Sequence, residues 1–474
     1  MRHCIAMAAR TSDTAGGPRS RALTLALALA IPVAAHAAAG DIFPYEVHQR
    51  TLGNGLEVMA IPFDSPGIVA YVTVVRTGSR DEVEPGHSGF AHFFEHMMFR
   101  GTKKHPAEEY NDVLKGMGAD SNANTSDDRT FYYIVGPASK LETMFDLEAD
   151  RFMNLDYAED AFRTEAGAIL GEYSKGASNP FQPLDEKTRE LAFQRHTYEH
   201  TTIGFLADVK DMPNQYEYSK SFFKRFYRPE NTTLLVVGDV QPEPVFALAE
   251  KHYGAWKPGY QAPAVVAEGP PTGTQRAHLD WPSPTNPYLT ISYRTPAFAP
   301  DRTWAALMVV EQLLFSESAP LYQALVVDKQ WVDFVGGDSD PHRDPFLFGI
   351  YARVRSDELM PQVEGAILGA LAELRGRPVD AARLDRVKSH LRYSFALSLD
   401  SPLAVARRVS QVVSLTGDVA ALNQLWKEID AVTPQDVQKA AKEIFQEKGM
   451  TVVTLSHPKS AAPAGSAGKE GGAR

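Results

Sequence analysis

His92, Glu95 and His96 stand at i, i+3 and i+4 in the stretch Phe90-Ala91-His92-Phe93-Phe94-Glu95-His96-Met97-Met98-Phe99. On a helix that spacing puts all three side chains on one face. The remainder of the stretch is apolar almost all round, which marks a helix made for a core. Three polar groups buried there are costly unless something satisfies them, and a divalent cation does. Two imidazoles four residues apart can hold one zinc ion, with the carboxylate between them directed at a water that the metal activates.

The same five-letter pattern recurs as His196-Thr197-Tyr198-Glu199-His200. Its neighbours Arg195, Thr201, Thr202 and Gly204 are polar, β-branched or turn-forming. This copy is therefore expected at a helix end or in a loop, where solvent satisfies the imidazoles and no metal is needed. A zinc site needs a third protein ligand from elsewhere. Glu165 and Glu172 lie seven residues apart, so on a helix they share a face two turns from each other. One could bind metal while the other orients a ligand or a water. Taken alone, the pair better fits a solvated acidic face.

The elements that must position these residues come as two copies of one plan. Tyr71-Val72-Thr73-Val74-Val75 and Tyr288-Leu289-Thr290-Ile291-Ser292 both read as sheet strands. The helix carrying His92 lines up with Met308-Val309-Val310-Glu311-Gln312-Leu313-Leu314-Phe315. Each half ends in a helical stretch and a strand, at 232–237 and 450–455. The second copy has Met308 and Gln312 in place of the two imidazoles, so only the first half could hold a metal there. The expected domains are 45–258 and 281–458, with the Pro/Gly-rich linker at 259–280.

Residues 1–37 read as a secretory signal peptide: a basic flank at Arg19 and Arg21, about ten apolar residues, and the site Ala35-His36-Ala37. The apolar run is short for a membrane span of about 20 residues, so no stable membrane anchor is expected after processing. Residues 459–474 are Ala, Gly, Ser and Lys-rich and are expected to form a disordered tail. The 474 residues, 44% apolar and 23% charged, are those of a globular protein of two or three domains. A net charge of −11 argues against a nucleic-acid partner. Removing residues 1–37 takes four Arg, one Asp and the only Cys, Cys4, leaving 437 residues at −14. Metal chemistry then falls to His and carboxylate, as suits an oxidising periplasm.

His-x-x-Glu-His is the inverted zinc-peptidase motif. The longer stretch from Gly86 to Thr102 resembles the signature of the pitrilysin/insulinase zinc peptidases. That family has a Glu some 76 residues after the second His, preceded seven residues earlier by another Glu, and Glu172 and Glu165 match both. Asp120-Ser121-Asn122-Ala123-Asn124-Thr125-Ser126 resembles its substrate-binding edge strand. Arg228-Pro229-Glu230-Asn231 and the strand after it resemble the end of its first domain. The similarity covers about residues 45–458, and the size matches the bacterial branch similar to mitochondrial processing peptidase.

The resemblance implies an α+β fold of two homologous α/β domains, each a mixed, largely antiparallel sheet packed with helices, forming half of a clamshell. It implies one Zn2+ per chain on His92, His96 and Glu172, with Glu95 as general base and Glu165 behind the ligands. Asn122 and Ala123 would hold an extended peptide by strand addition. The half facing the metal in this family supplies an Arg and a Tyr, spaced Arg-x₆-Tyr, to bind substrate. Here Val326 and Asp333 occupy those places, and Arg392-Tyr393 has the right residue types at the wrong spacing. An apolar side chain and an anion cannot replace an oxyanion donor. The expectation is a periplasmic zinc metalloendopeptidase subunit acting on peptides or small unfolded polypeptides. It would work as a heterodimer with a paralogous Arg/Tyr-bearing subunit rather than as a homodimer. The alternative is a non-catalytic subunit with a binding or assembly role, as in the core subunits of the respiratory bc₁ complex; Glu95 and the three ligands stand against it.

Overall fold

The computed structural model describes residues 41–458 and the backbone of residues 33–35. The expected signal peptide, apart from that backbone, and the expected tail lie outside the described residues. Runs of β-branched and aromatic residues form the strands. In chain order these are β1 Val33–Ala35, β2 Val47–Thr51, β3 Glu57–Pro62, β4 Ile68–Val75, β5 Asp120–Thr125 and β6 Thr130–Pro137. They continue as β7 Thr232–Gly238, β8 Gln275–Asp280, β9 Tyr288–Arg294, β10 Val332–Ser339, β11 Leu347–Val354 and β12 Met450–Ser456. One sheet has the order β1-β2-β3-β7-β4-β6-β5 and the other β10-β11-β9-β12-β8. Among the described strands only β3 with β7 and β8 with β12 run parallel. The fold is α+β, with two homologous domains.

The ladders fix how the domains correspond. Val75 lies opposite Thr232 on one side and Thr130 on the other; Tyr293 lies opposite Met450 and Phe348. Each counterpart is 218 residues on, as are Gln275 from Glu57 and Thr451 from Thr233. Leu289, not Tyr288, is therefore the counterpart of Tyr71, and the alignment read from sequence is one residue out. β4 is buried on both faces, so no polar alternation marks its register, and a one-residue slip exchanges the faces.

The helices that matter for the site are α1 Phe90–Met97, α2 Ala107–Met117, α3 Leu141–Asn154, α4 Glu159–Gly176 and α5 Phe181–Ala192. Val69, Tyr71, Leu234 and Val236 share a core with Phe93 and Phe94 of α1, Phe145 of α3 and Phe162 of α4. The opposite face of the same sheet, Val72, Val74, Leu235 and Val237, packs with Val405, Val409 and Val412 of the helix Pro402–Thr416 from the second domain. In return α5 crosses to the second sheet, where Leu184 packs with Tyr288, Val453 and Leu455. The Thr188 and Thr290 hydroxyls meet there at 3.1 Å. Each domain thus lends a helix to the other's sheet, and every Leu or Val buried this way adds about 1.5–3 kcal/mol.

Residues 259–273 carry no helix or strand. The linker expected over 259–280 is shorter than that, because Gln275–Asp280 forms β8 and pairs in parallel with β12. Its alternating exposure is that of an edge strand, whose polar residues extend the look of a linker into the sheet.

Candidate metal centre

α1 begins at Gly89, whose φ of 91° is left-handed. A Cβ there would come within 2.6 Å of the Ile203 carbonyl oxygen, so glycine is required. The buried Glu82 carboxylate accepts from Gly89 N at 2.7 Å and Ala91 N at 2.6 Å, satisfying free N–H groups at the helix start. Burial raises the Glu82 pKa well above the usual range, against the pull of those two bonds. Phe90, Phe93, Phe94 and Met97 are buried, with Phe93 edge-on to Phe162 of α4 at 5.0 Å. This packing leaves His92, Glu95 and His96 on the remaining face, with the two imidazoles towards α4 and Glu95 towards β5.

α4 brings Glu172 to them. Its Oε2 lies 3.7 Å from His92 Nε2 and 3.5 Å from His96 Nε2. At those separations the carboxylate makes no hydrogen bond to either ring. Zinc bonds of about 2.0–2.2 Å at tetrahedral angles set donors roughly 3.3–3.6 Å apart, so the two carboxylate–imidazole spacings lie near what an ion among them requires. His92, His96 and Glu172 are the one His/Cys/Asp/Glu group among the described residues whose donor atoms all gather, within 4.8 Å of one another. Burial and the neighbouring His96 lower His92 to about 4, which leaves its ring neutral, as a ligand must be. The donor types are those of a His₂Glu zinc site.

Glu165, two turns before Glu172, is 3% exposed and bonds His96 Nδ1 at 2.9 Å. Its other oxygen accepts from Arg100. Burial pushes the Glu165 pKa up, but the bonds from His96 and Arg100 outweigh it and hold the carboxylate low. An ionised Glu165 accepts a hydrogen bond from His96 Nδ1–H and leaves Nε2 to face Glu172. His92 has no such support, since its Nδ1 is buried without a hydrogen-bond partner.

Glu95 is held from the sheet. Thr125 Oγ1 donates to Glu95 Oε2 at 2.7 Å. Burial raises the Glu95 pKa and the Thr125 bond opposes it. Thr125 ends β5, the last strand of its sheet, where Asn122 and Ala123 lie opposite Tyr133 and Tyr132. Ala123 N donates to Asn122 Oδ1 at 2.8 Å. Thr125 and Arg100 fall inside the stretches singled out by sequence, yet their roles depend on which neighbours they meet. Arg100 follows His96 by four residues, which is the one local signal that could have placed it near the site.

The turn after β5 is clamped to the second domain. Asp127 accepts two bonds from Arg189, at 3.0 and 3.1 Å, and one from His342 at 2.9 Å. Arg343 binds Asp128 at 3.1 Å and Asp81 at 2.8 Å. The second His-x-x-Glu-His copy belongs to this clamp. It lies around the short 3-10 turn Thr197–Glu199, as expected, but solvent does not satisfy it: His196 is 2% and His200 5% exposed. His196 Nε2 pairs with Asp344 at 3.0 Å, and its Nδ1 accepts from Tyr198 N at 3.1 Å. His200 Nδ1 donates to the Thr201 carbonyl at 2.9 Å. The polar neighbours in sequence are not its neighbours in space, since Asp344 comes from 148 residues away.

Val326 falls in the helical segment Gln323–Asp328. Asp333, on β10, is bound by Asn286 at 2.8 Å, Arg353 at 3.1 Å and Arg355 at 3.0 Å. Tyr393 is 73% exposed, and Arg392 pairs with Asp430.

Residues 59–204 match the family described as Insulinase (Peptidase family M16), and residues 215–391 match the Peptidase M16 inactive domain. The zinc protease PqqE of Helicobacter pylori is 28% identical over 85% of this chain and 91% of its own. A probable mitochondrial-processing peptidase subunit beta of Schizosaccharomyces pombe is 24% identical over 85% and 89%. The crystal structure of a protease from Helicobacter pylori superposes with a TM-score of 0.82 at 27% identity, covering 86% of this chain and 99% of that one. With both domains matched and the inverted motif set against α4, the chain belongs to the pitrilysin/insulinase family of peptidases.

Proposed function

We propose that the chain is a zinc-dependent endopeptidase subunit that cleaves peptides or small unfolded polypeptides. The observation that carries this is the meeting of His92, His96 and Glu172 beside a Glu95 held by Thr125. His92 Nε2, His96 Nε2 and Glu172 Oε2 would hold the ion. When bound, zinc lowers the pKa of water towards about 7 and polarises a peptide carbonyl.

Glu95 takes the proton of the attacking water and returns it to the leaving amine. A carboxylate raised by burial is suited to holding that proton between the two transfers. Glu165 fixes the His96 ring, and Thr125 fixes Glu95. The free edge of β5 at Asn122 and Ala123 receives the substrate as an added strand, reading backbone more than side chains. The second domain lacks the ligands and supplies no Arg/Tyr pair at the matching places, so a paralogous subunit is needed to complete the site. A relative named as a subunit of a processing peptidase supports that reading. The place of action is the periplasm, reached by cleavage near Ala37. Among the described residues no helix is long and apolar enough to cross a membrane.

Glu95→Gln tests the reading. The variant should keep its zinc and lose peptide cleavage, whereas His92→Ala should lose both. Cleavage unchanged in Glu95→Gln would overturn the mechanism. Zinc bound with no cleavage under any pairing would favour the binding or assembly role.

A further inference from the structure

The second domain carries a counterpart of the metal centre with different chemistry. Met308, Glu311 and Gln312, on the helix Arg302–Phe315, take the places of His92, Glu95 and His96. Ser339, the last residue of β10, donates to Glu311 Oε2 at 3.1 Å, as Thr125, the last residue of β5, donates to Glu95. The ladders make the two hydroxyls equivalent. Thr125 lies opposite Thr130 and Ser339 opposite Phe348, and those two hold the same place against β4 and β9. The carboxyl and its hydroxyl donor persist where both imidazoles are gone.

Beside them lies a cavity of about 170 Å³. Its walls include Trp304, Phe395, Trp426 and Leu422, with Glu311, Ser339, Arg408 and Gln411 as polar members. A dry cavity of about 150 Å³ is enough to hold a benzene ring. Burial raises Glu311 to about 7, so near neutrality it can donate as well as accept a hydrogen bond.

We propose that this cavity binds an aromatic ring bearing one O–H or N–H group, the ring seated among Trp304, Phe395 and Trp426 and the polar group bonded to Glu311. Aromatic walls favour edge-on and offset-stacked rings, and the one carboxyl in the wall, half-buried, selects rings with a donor over bare hydrocarbon. Free phenols and indoles share this chemistry with the Tyr and Trp side chains of a peptide. The site owes nothing to zinc.

The test is fluorine NMR of the full chain titrated with 4-fluorophenol and, separately, fluorobenzene. Saturable binding of 4-fluorophenol is expected. Glu311→Leu should weaken the phenol by about tenfold, the loss of one hydrogen bond, and leave fluorobenzene unchanged. Leu422→Trp fills the space and should abolish binding of both; Val412→Phe serves the same end if the first variant fails to fold. Displacement of the probe by N-acetyltyrosinamide would identify a peptide side chain as an occupant; its failure to compete would confine the site to free small molecules. No saturable binding of 4-fluorophenol, or binding that survives a folded filling variant, would overturn the proposal.

Discussion

Thr125 donates its hydroxyl to Glu95 at 2.7 Å, so the residue that ends the edge strand also holds the carboxylate beside the metal ligands. A peptide added to β5 and the base that acts on it are thereby set by one strand. Thr125→Val keeps the shape and removes the donor. It should lower kcat by about tenfold with KM little changed, in line with the loss of one charge-assisted hydrogen bond. Steady-state kinetics on a quenched peptide measures the split; an effect confined to KM would place Thr125 in substrate binding instead.

Glu165 is tied to His96 and Arg100 and does not itself face the donor set. Glu165→Gln keeps the volume but removes the negative charge that holds the Nδ1 proton of His96. Zinc affinity should fall about 10- to 100-fold. Competition against a chromogenic chelator reads this directly, without recourse to activity. Unchanged affinity would show that packing alone orients the ring.

The second motif copy gives an internal control with its own readout. His196 is bonded to Asp344 and to Tyr198 N, inside the clamp between the domains. His196→Ala leaves the buried Tyr198 N–H without its acceptor and the half-buried Asp344 with Arg80 alone, and should cost about 1–3 kcal/mol of stability. Zinc content should be unchanged. Loss of zinc together with stability would mean that the clamp and the metal centre are one cooperative unit.

These residues also mark what the sequence can and cannot disclose. The α1 motif is legible because an otherwise apolar helix buries three polar groups at a cost that a bound cation offsets. Glu172 is reachable through spacing and resemblance, since seven residues on one helix is a local relation. The burial of His196 is not legible, because Arg80, Asp128 and Asp344 reach the neighbourhood of Tyr198 and His196 through chain folding alone. The correspondence of β4 with β9 slips by one residue for the related reason that a strand buried on both faces hides its alternation. The hydroxyls that hold Glu95 and Glu311 become visible only once both edge strands are in place.

His342 crosses from the second domain to Asp127 at 2.9 Å. Burial alone would lower its pKa, but the bond and charge of Asp127 outweigh that and raise it above 6.5. A group raised on folding adds stability that is complete below its unfolded pKa and is lost as pH climbs through the folded one. The melting temperature should therefore fall as pH rises from about 6.5 through the higher folded value. His342→Gln should start lower and show a flatter profile. A gap between wild type and variant that widens with rising pH would have the wrong sign for this pair.

On the resemblance read from sequence Asp333 stands in the place of a Tyr, and its carboxylate is already taken by Arg353, Arg355 and Asn286. That side chain is engaged in holding β10, so it cannot turn to serve a substrate, and Val326 offers no donor at all. The chain purified alone should bind one zinc and cleave peptides slowly. Mixing with a paralogue that carries Arg-x₆-Tyr should raise kcat/KM by at least about 10²-fold, the usual worth of one oxyanion donor. The gain should vanish when the Tyr of that paralogue is changed to Phe and when Glu95 of this chain is changed to Gln, because each would supply one half of a shared site. Full activity from the isolated chain would show instead that this family member stabilises its substrate oxyanion from within the first domain.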